Sequence, residues 1–531
     1  MDRGTSHGSC AACGHGLDRR RFIRGCGAAA AAAAGSLLYG AAAAADDKEG
    51  GKVRVAAVFL AGMNTREIWP YPGFDTERRQ REVMAALTEG CPDVDWVPVA
   101  VKAQSGLQKA IALQDQVDGY LVYAMTLVWN QRAMLAEVAR LGKPTLVADE
   151  VLGGSGAFLT GVSQLARGGN PAAAVSTTRL DDLVTVARQF AGLRKPGTTP
   201  ASFARRCEQA YRETFPARGE TACTEDPVPL TDIDECVKRF RASRFLIVGR
   251  GHGGQERNFL GAKGRYVGFD ELGALYDQAD SEKAAEWAQQ WTKQAQALPP
   301  GDYVQPSEPT PEAIRKGGRM YLATLALCEK YDTESVTMNC LGGFRAGKLP
   351  AYPCLGFMQI LNDGGQGVCE AMPDDTLSML MARILTGRPG YVSDPALDTS
   401  KNRVIYSHCT GTTRVFGPEG KANPFRIRTL HNRDPRGACA ESLMPAGYMT
   451  TSFRTNAGRK ELILHQAKAL GPLDTEKGCR TKLIGQVRGD IGKMFDQWDR
   501  FGWHRVTVYG DVKEPLTEFA RALGLKVIEE A

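Results

Sequence analysis

Beyond its first 45 residues the chain has no run approaching 18 consecutive apolar residues, which excludes a membrane-spanning helix there. It also has no stripe rich in lysine and arginine. Five of the 66 basic and two of the 60 acidic residues fall in 1–45, so the remainder carries 61 against 58, a net charge of only +3. That balance argues against a dedicated nucleic-acid binder. No internal repeat is present, which sets repeat architectures aside. Paired zinc-ligand spacing is missing beyond residue 45 as well. Of 14 cysteines, Cys10 and Cys13 form a CxxC within residues 1–45, where Cys26 also lies; the other eleven are scattered, odd in number and without such spacing. They read as buried thiols. Cys207, Cys223 and Cys236 share one polar segment, in which a disulfide can form after export.

What is present is an ordinary globular composition, 43% hydrophobic and 24% charged, in 531 residues. That length is too great for a single core and predicts two to four domains. Strand-like and helix-like patterns alternate from residue 53. Strands are predicted at 53–60, 95–101, 117–124 and 144–148, with helices at 74–90, 106–116 and 129–141 between them. This is the rhythm of an open parallel α/β sheet, and 51–165 is read as one domain. A second α/β domain is read over 166–385. It has strands at 244–249, 335–340 and 366–370 and helices at 281–296, 311–330, 353–361 and 375–385. From 386 to 531 short strands separated by Gly, Pro and Asn predict a β-rich, barrel-like domain.

Three polar residues stand at the ends of apolar runs: Glu370 after Gly-Val-Cys, Asp394 after Tyr-Val-Ser and His408 after Val-Ile-Tyr-Ser. In parallel α/β sheets ligands gather at carboxyl ends of strands. Two carboxylates and an imidazole suit either a hard divalent cation or acid/base work. Asp363, Asp374, Asp375 and Asp398 read instead as turn or cap residues. Gly249-Arg-Gly-His-Gly-Gly254 satisfies GxGxxG formally, but the polar segment after it lacks a helix pattern. It is read as a loop that brings Arg250 and His252 toward the hydroxyls of a bound ligand. Trp69, Tyr71 and Phe74 offer an aromatic platform on which the apolar face of a ligand can stack. His431 and His465 carry no pattern.

Two resemblances follow from the motifs. Arg19-Arg20-Arg21-Phe22-Ile23-Arg24 before a Gly/Ala-rich run resembles a twin-arginine signal, with Asp18 where Ser or Thr is usual. It implies a leader over 1–45, cleavage near Asp46, no stable membrane anchor afterwards and a periplasmic location. The segment 352–411 resembles the L-fucose isomerase and L-arabinose isomerase family. It shares the Pro-Cys-Leu helix, Leu-Asn-Asp-Gly, Cys-Glu, a long helix ending Leu-Thr-Gly-Arg-Pro, a strand reaching Asp and then His-Cys-Thr. The step of 24 residues from Glu370 to Asp394 matches that of the two metal-binding carboxylates in L-fucose isomerase.

The family resemblance implies two Rossmann-like α/β domains followed by a barrel-like one, and aldose–ketose isomerisation of a sugar through an enediol. It implies a Mn²⁺-type cation held by Glu370, Asp394 and a histidine. His408 corresponds to a ligand in the arabinose isomerase branch, and His504 and Asp511 compete for the C-terminal ligand position. Relatives often carry two adjacent histidines where this chain has Trp503-His504. A homo-oligomer, hexamer or trimer, is implied, with the neighbouring subunit completing the pocket. Two other readings stay open: an exported carbohydrate-binding protein of the same fold, and an NAD(P)-linked sugar oxidoreductase.

Overall fold

The computed structural model describes residues 51–62, 69–128, 130–217, 219 and 221–531. The expected leader with its arginine pair, and residues 63–68, lie outside the described residues.

The first sheet comprises β1 (Val53–Leu60), β2 (Val94–Val101), β3 (Gly119–Ala124), β4 (Thr145–Asp149) and β5 (Ala172–Ser176), all parallel in the order β2-β1-β3-β4-β5. Its strands are nearly continuous apolar runs because helices cover both faces. The pleat divides β1 between two cores. Val55, Ala57 and Phe59 pack with Val83, Leu87, Phe190 and Phe203. Ala56, Val58 and Leu60 pack with Met134, Leu135 and Phe158. This sheet does not stop at residue 165. The small side chains of Ala172, Ala173 and Ala174 give β5 little strand signal, and the helices Leu180–Ala187 and Pro200–Glu213 still belong to it.

The second sheet has the order β10-β9-β6-β8-β7, from β6 (Arg244–Val248), β7 (Glu256–Phe259), β8 (Ala262–Val267), β9 (Ser335–Met338) and β10 (Gln366–Cys369). All pairings are parallel except β7 with β8. Gly249, Gly251 and Gly254 have φ of +77°, +65° and +83°. The loop they form leads into β7 and not into a helix, so the GxGxxG match lacks the helix N-terminus on which a dinucleotide pyrophosphate rests.

The C-terminal region closes into a six-stranded barrel. β11 (Tyr391–Asp398), β12 (Arg403–His408), β15 (Met449–Asn456), β16 (Glu461–Pro472), β17 (Thr481–Arg488) and β18 (Arg505–Tyr509) pair in the ring β15-β18-β11-β12-β17-β16, and β15 with β16 completes it. Closure removes the free edges that an open sheet would leave. The twelve-residue β16 shifts register between Ala469 and Gly471, and it also receives β19 (Lys526–Glu529) in parallel. β13 (Phe425–Arg428) and β14 (Cys439–Ser442) form a separate ribbon. β15, sequence MTTSFRTN, shows no apolar alternation and was not predicted. Its hydroxyls are buried and satisfied: Thr450 Oγ1 donates to the Ala467 carbonyl at 2.7 Å and Thr451 Oγ1 to that of Gly510 at 2.9 Å. Among the described residues no helix is long and apolar enough to cross a membrane.

Cys207 and Cys236 are buried in different cores, and the eleven described cysteines are all free, so the expected disulfide among Cys207, Cys223 and Cys236 is not present.

Candidate active site

The carboxyl ends of three parallel strands meet one end of the barrel. Arg250 follows β6, Cys340 follows β9 and Glu370 follows β10. From the barrel come Asp394 of β11, His408 at the end of β12 and His504 just before β18. All six line one cavity of about 320 Å³. Asp394 does not end its strand as expected. β11 runs on to Asp398, with Pro395 opposite Tyr406.

Glu370 occupies a left-handed turn, with φ +69°, and Ala371 follows at +51°. Two consecutive non-glycine residues in this region store strain of about 1–3 kcal/mol each. The turn reverses the chain from β10 into the helix Pro373–Thr386, and Met372 N–H holds it by donating to Thr337 Oγ1 at 3.2 Å. The Glu370 side chain keeps 32% of its surface exposed.

His504 is the hub. Its Nε2 lies 3.4 Å from Asp394 Oδ1 and 3.6 Å from Glu370 Oε2. Its Nδ1 bonds Asp375 Oδ2 at 2.5 Å, and Arg454 Nε donates to the other Asp375 oxygen at 2.6 Å. The His408 ring stands edge-on to it at 5.4 Å. Donor atoms of Glu370, His408 and His504 all fall within 4.8 Å of one another. Burial alone would lower the His504 pKa, but the charges of Asp375 and Asp394 outweigh it and hold the imidazole well above the usual histidine range. Burial pushes Asp375 up, and Arg454 with His504 pulls it down to about 2, so this buried carboxylate stays ionised.

Asp375 is therefore no turn residue. It is the partner that fixes His504, and it stands in the first turn of the helix after Glu370, five positions on. Arg454 lies on the unpredicted β15 and gave no signal in the sequence.

Asp511 is not brought to the cavity. It follows β18 whereas His504 precedes it, and the seven intervening steps span roughly 20 Å of extended chain. Its carboxylate accepts from Gln466 Nε2 at 2.6 Å and faces Arg488 at 3.5 Å. His252 is exposed and does not line the cavity, whereas Arg250 does.

Trp69 is buried and lines the cavity, with Trp503 on the same wall. A Cβ on Gly156 would come within 3.3 Å of Trp503, so a larger residue there would require the indole to give by a few tenths of an ångström. Tyr71 and Phe74 do not line the cavity. They pack edge to face at 5.5 Å, and Lys477 lies 5.8 Å over Phe74. The segment is tied down where Gly478 N–H donates to the Pro70 carbonyl at 2.7 Å. Arg345, which sequence reasoning passed over, adds a second guanidinium to the wall.

The chain has recognisable sequence relatives. Over 205 residues it is 28% identical to proteins named sulfoquinovose isomerase from Priestia aryabhattai and from Priestia megaterium (strain ATCC 12872 / QMB1551), a match covering 37% of this chain and 44% of each relative. The chain thus spans less than half the length of the curated relatives it matches. No protein-family model matches it. The likeness is to sugar isomerases in general terms and does not single out the fucose or arabinose type.

Proposed function

We propose that this chain is a divalent-metal-dependent aldose–ketose isomerase acting on a sugar through an enediol. One observation carries the reading. The Nε2 of an imidazole fixed by a buried carboxylate faces Glu370 and Asp394 at 3.6 and 3.4 Å at the cavity surface. The partial likeness to sulfoquinovose isomerases supports the same class of chemistry.

The residues fit a Mn²⁺-type ion, the cofactor that the fucose/arabinose isomerase resemblance implies. Glu370, Asp394 and His504 would hold it, with His408 beside them. Hard carboxylate oxygens and a histidine whose other nitrogen is held by a carboxylate are the donor set such an ion takes. When bound, it would stabilise negative charge on the C1 and C2 oxygens of the sugar.

The chain's own residues do the rest. Glu370, the more exposed carboxylate, takes the proton from C2 and returns it at C1, while Asp394 takes the O2 hydroxyl proton and delivers it to O1. Asp394 is held beside His504, which is oriented by Asp375 and Arg454. Trp69 and Trp503 present apolar faces to the sugar ring, and Arg250 and Arg345 favour a sugar bearing an anionic substituent. Export by the twin-arginine route to the periplasm and assembly into a hexamer or trimer belong to the same proposal.

The test is metal analysis of the folded protein, then ketose detection over a panel of aldoses that includes sulfoquinovose, with and without Mn²⁺. Mn²⁺-dependent ketose formation is the expected result. Failure of every sugar with Mn²⁺ present would overturn it and leave a carbohydrate-binding protein.

A further inference from the structure

A second cluster of metal-ligating side chains, this one of cysteine and histidine, lines the same cavity. Cys409 follows the last residue of β12, His431 lies three residues after β13, and Cys479 stands two residues before β17. All three are buried and all line the cavity. The sulfurs of Cys409 and Cys479 lie 3.6 and 3.5 Å from His431 Nδ1. The three donor atoms fall within 4.8 Å of one another. A tetrahedral zinc ion, with bonds of about 2.3 Å to sulfur and about 2.05 Å to nitrogen, sets each sulfur–nitrogen pair about 3.5 Å apart.

We propose that Cys409, His431 and Cys479 form a zinc-binding site separate from the Glu370–Asp394–His504 group. The two soft thiolates, with a borderline imidazole, suit Zn²⁺, whereas the hard carboxylates of the other group suit Mn²⁺-like ions. The group supplies three donors; the nearby Cys439 is not one of them, and its thiol donates to the Thr429 carbonyl at 3.6 Å. Each thiol that binds releases one proton. Two thiolates and one Zn²⁺ sum to zero net charge, so the occupied site adds no charge to this buried part of the wall. The ion would tie the end of β12 to the segments carrying His431 and Cys479, and would hold the backbone next to His408. The site does not depend on the isomerase reading.

Cobalt separates this site from the carboxylate site. On adding Co²⁺ to the metal-free full-length protein, a thiolate-to-cobalt charge-transfer band should appear in the near ultraviolet. Strong visible bands of tetrahedral cobalt should accompany it, and Zn²⁺ should abolish both. Cys409→Ser and Cys479→Ser should each lose the charge-transfer band, and Glu370→Gln should keep it. If either serine variant fails to fold by circular dichroism, the wild-type chain decides through alkylation. Zn²⁺ should then protect Cys409 and Cys479 from iodoacetamide, but not Cys223. Absence of both the band and the protection in the wild type overturns the site. So does survival of the band in both folded variants, or a Cys409–Cys479 disulfide found by peptide mapping of the protein as purified.

Discussion

Among the described residues two imidazole–carboxylate–guanidinium triads lie buried, and they differ in what the imidazole has left to do. In one, His504 Nδ1 bonds Asp375, which accepts from Arg454 Nε. In the other, His465 Nδ1 bonds Glu530 Oε2 at 2.9 Å, and Arg505 Nε donates to the two Glu530 oxygens at 3.1 and 3.0 Å. Both carboxylates are driven down to about 2 by the cations beside them, against the upward push of burial. The second nitrogen separates them. His465 Nε2 is occupied by the Tyr406 hydroxyl at 2.6 Å. His504 Nε2 faces two carboxylates on a cavity. The same residue types make a structural tie where every donor is used internally, and a candidate catalytic centre where one nitrogen is left for a ligand.

The largest expected effect falls on the cavity side. Glu370→Gln should cut turnover about 10²–10⁴-fold, with the melting temperature and circular dichroism spectrum unchanged; near-normal ketose formation would remove Glu370 from the mechanism. On the other side, Glu530→Gln leaves Arg505 buried without its counter-ion and should cost about 3–5 kcal/mol of stability in urea unfolding. Activity per folded molecule should hold, and a fall in kcat would erase the distinction between the triads. Asp375→Asn should weaken Mn²⁺ binding about 10–100-fold, read by titration with the ion. Unchanged affinity would make the first triad as structural as the second.

The pH dependence of stability sharpens the contrast further. Arg505 and His465 pull the Glu530 carboxyl from its ordinary value of 4.5 down to about 2, against the upward push of burial. A depressed folded-state value contributes stability that is complete above the unfolded value and fades as pH falls through the folded one. The window therefore runs from about pH 5 down to about pH 2, and the contribution is about 3 kcal/mol. Unfolding curves at intervals across that window should show the decline in the wild type and a shallower one in Glu530→Gln. The smallest effect is expected at Asp511. Its change to Asn should alter kcat and KM less than about twofold, because its partners are Gln466 and Arg488 at the opposite end of β18. A large loss would return it to the list of ligands.

Strands β1 to β4 and β10, with the long helices, were legible because apolar runs and helical periodicity are local properties of the chain. β5 and β15 were not. Alanines carry little strand signal, and β15 buries hydroxyls whose bonds form only once the barrel closes. Glu370, Asp394 and His408 were readable as polar residues at or near strand ends, and all three reach the cavity. Asp375 was legible only as a helix-start carboxylate, since its role depends on Arg454 and His504, 79 and 129 residues away.

The sequence by itself determined the alternation of elements and the identity of the polar residues that end or interrupt apolar runs, because these rest on spacing along the chain. The tertiary structure alone decided which histidine faces the carboxylates. It placed His504 and Asp511 at opposite ends of one strand, and drew Cys409, His431 and Cys479 together across separations of 22 and 48 residues. Those outcomes depend on barrel closure and strand register, which no local pattern encodes.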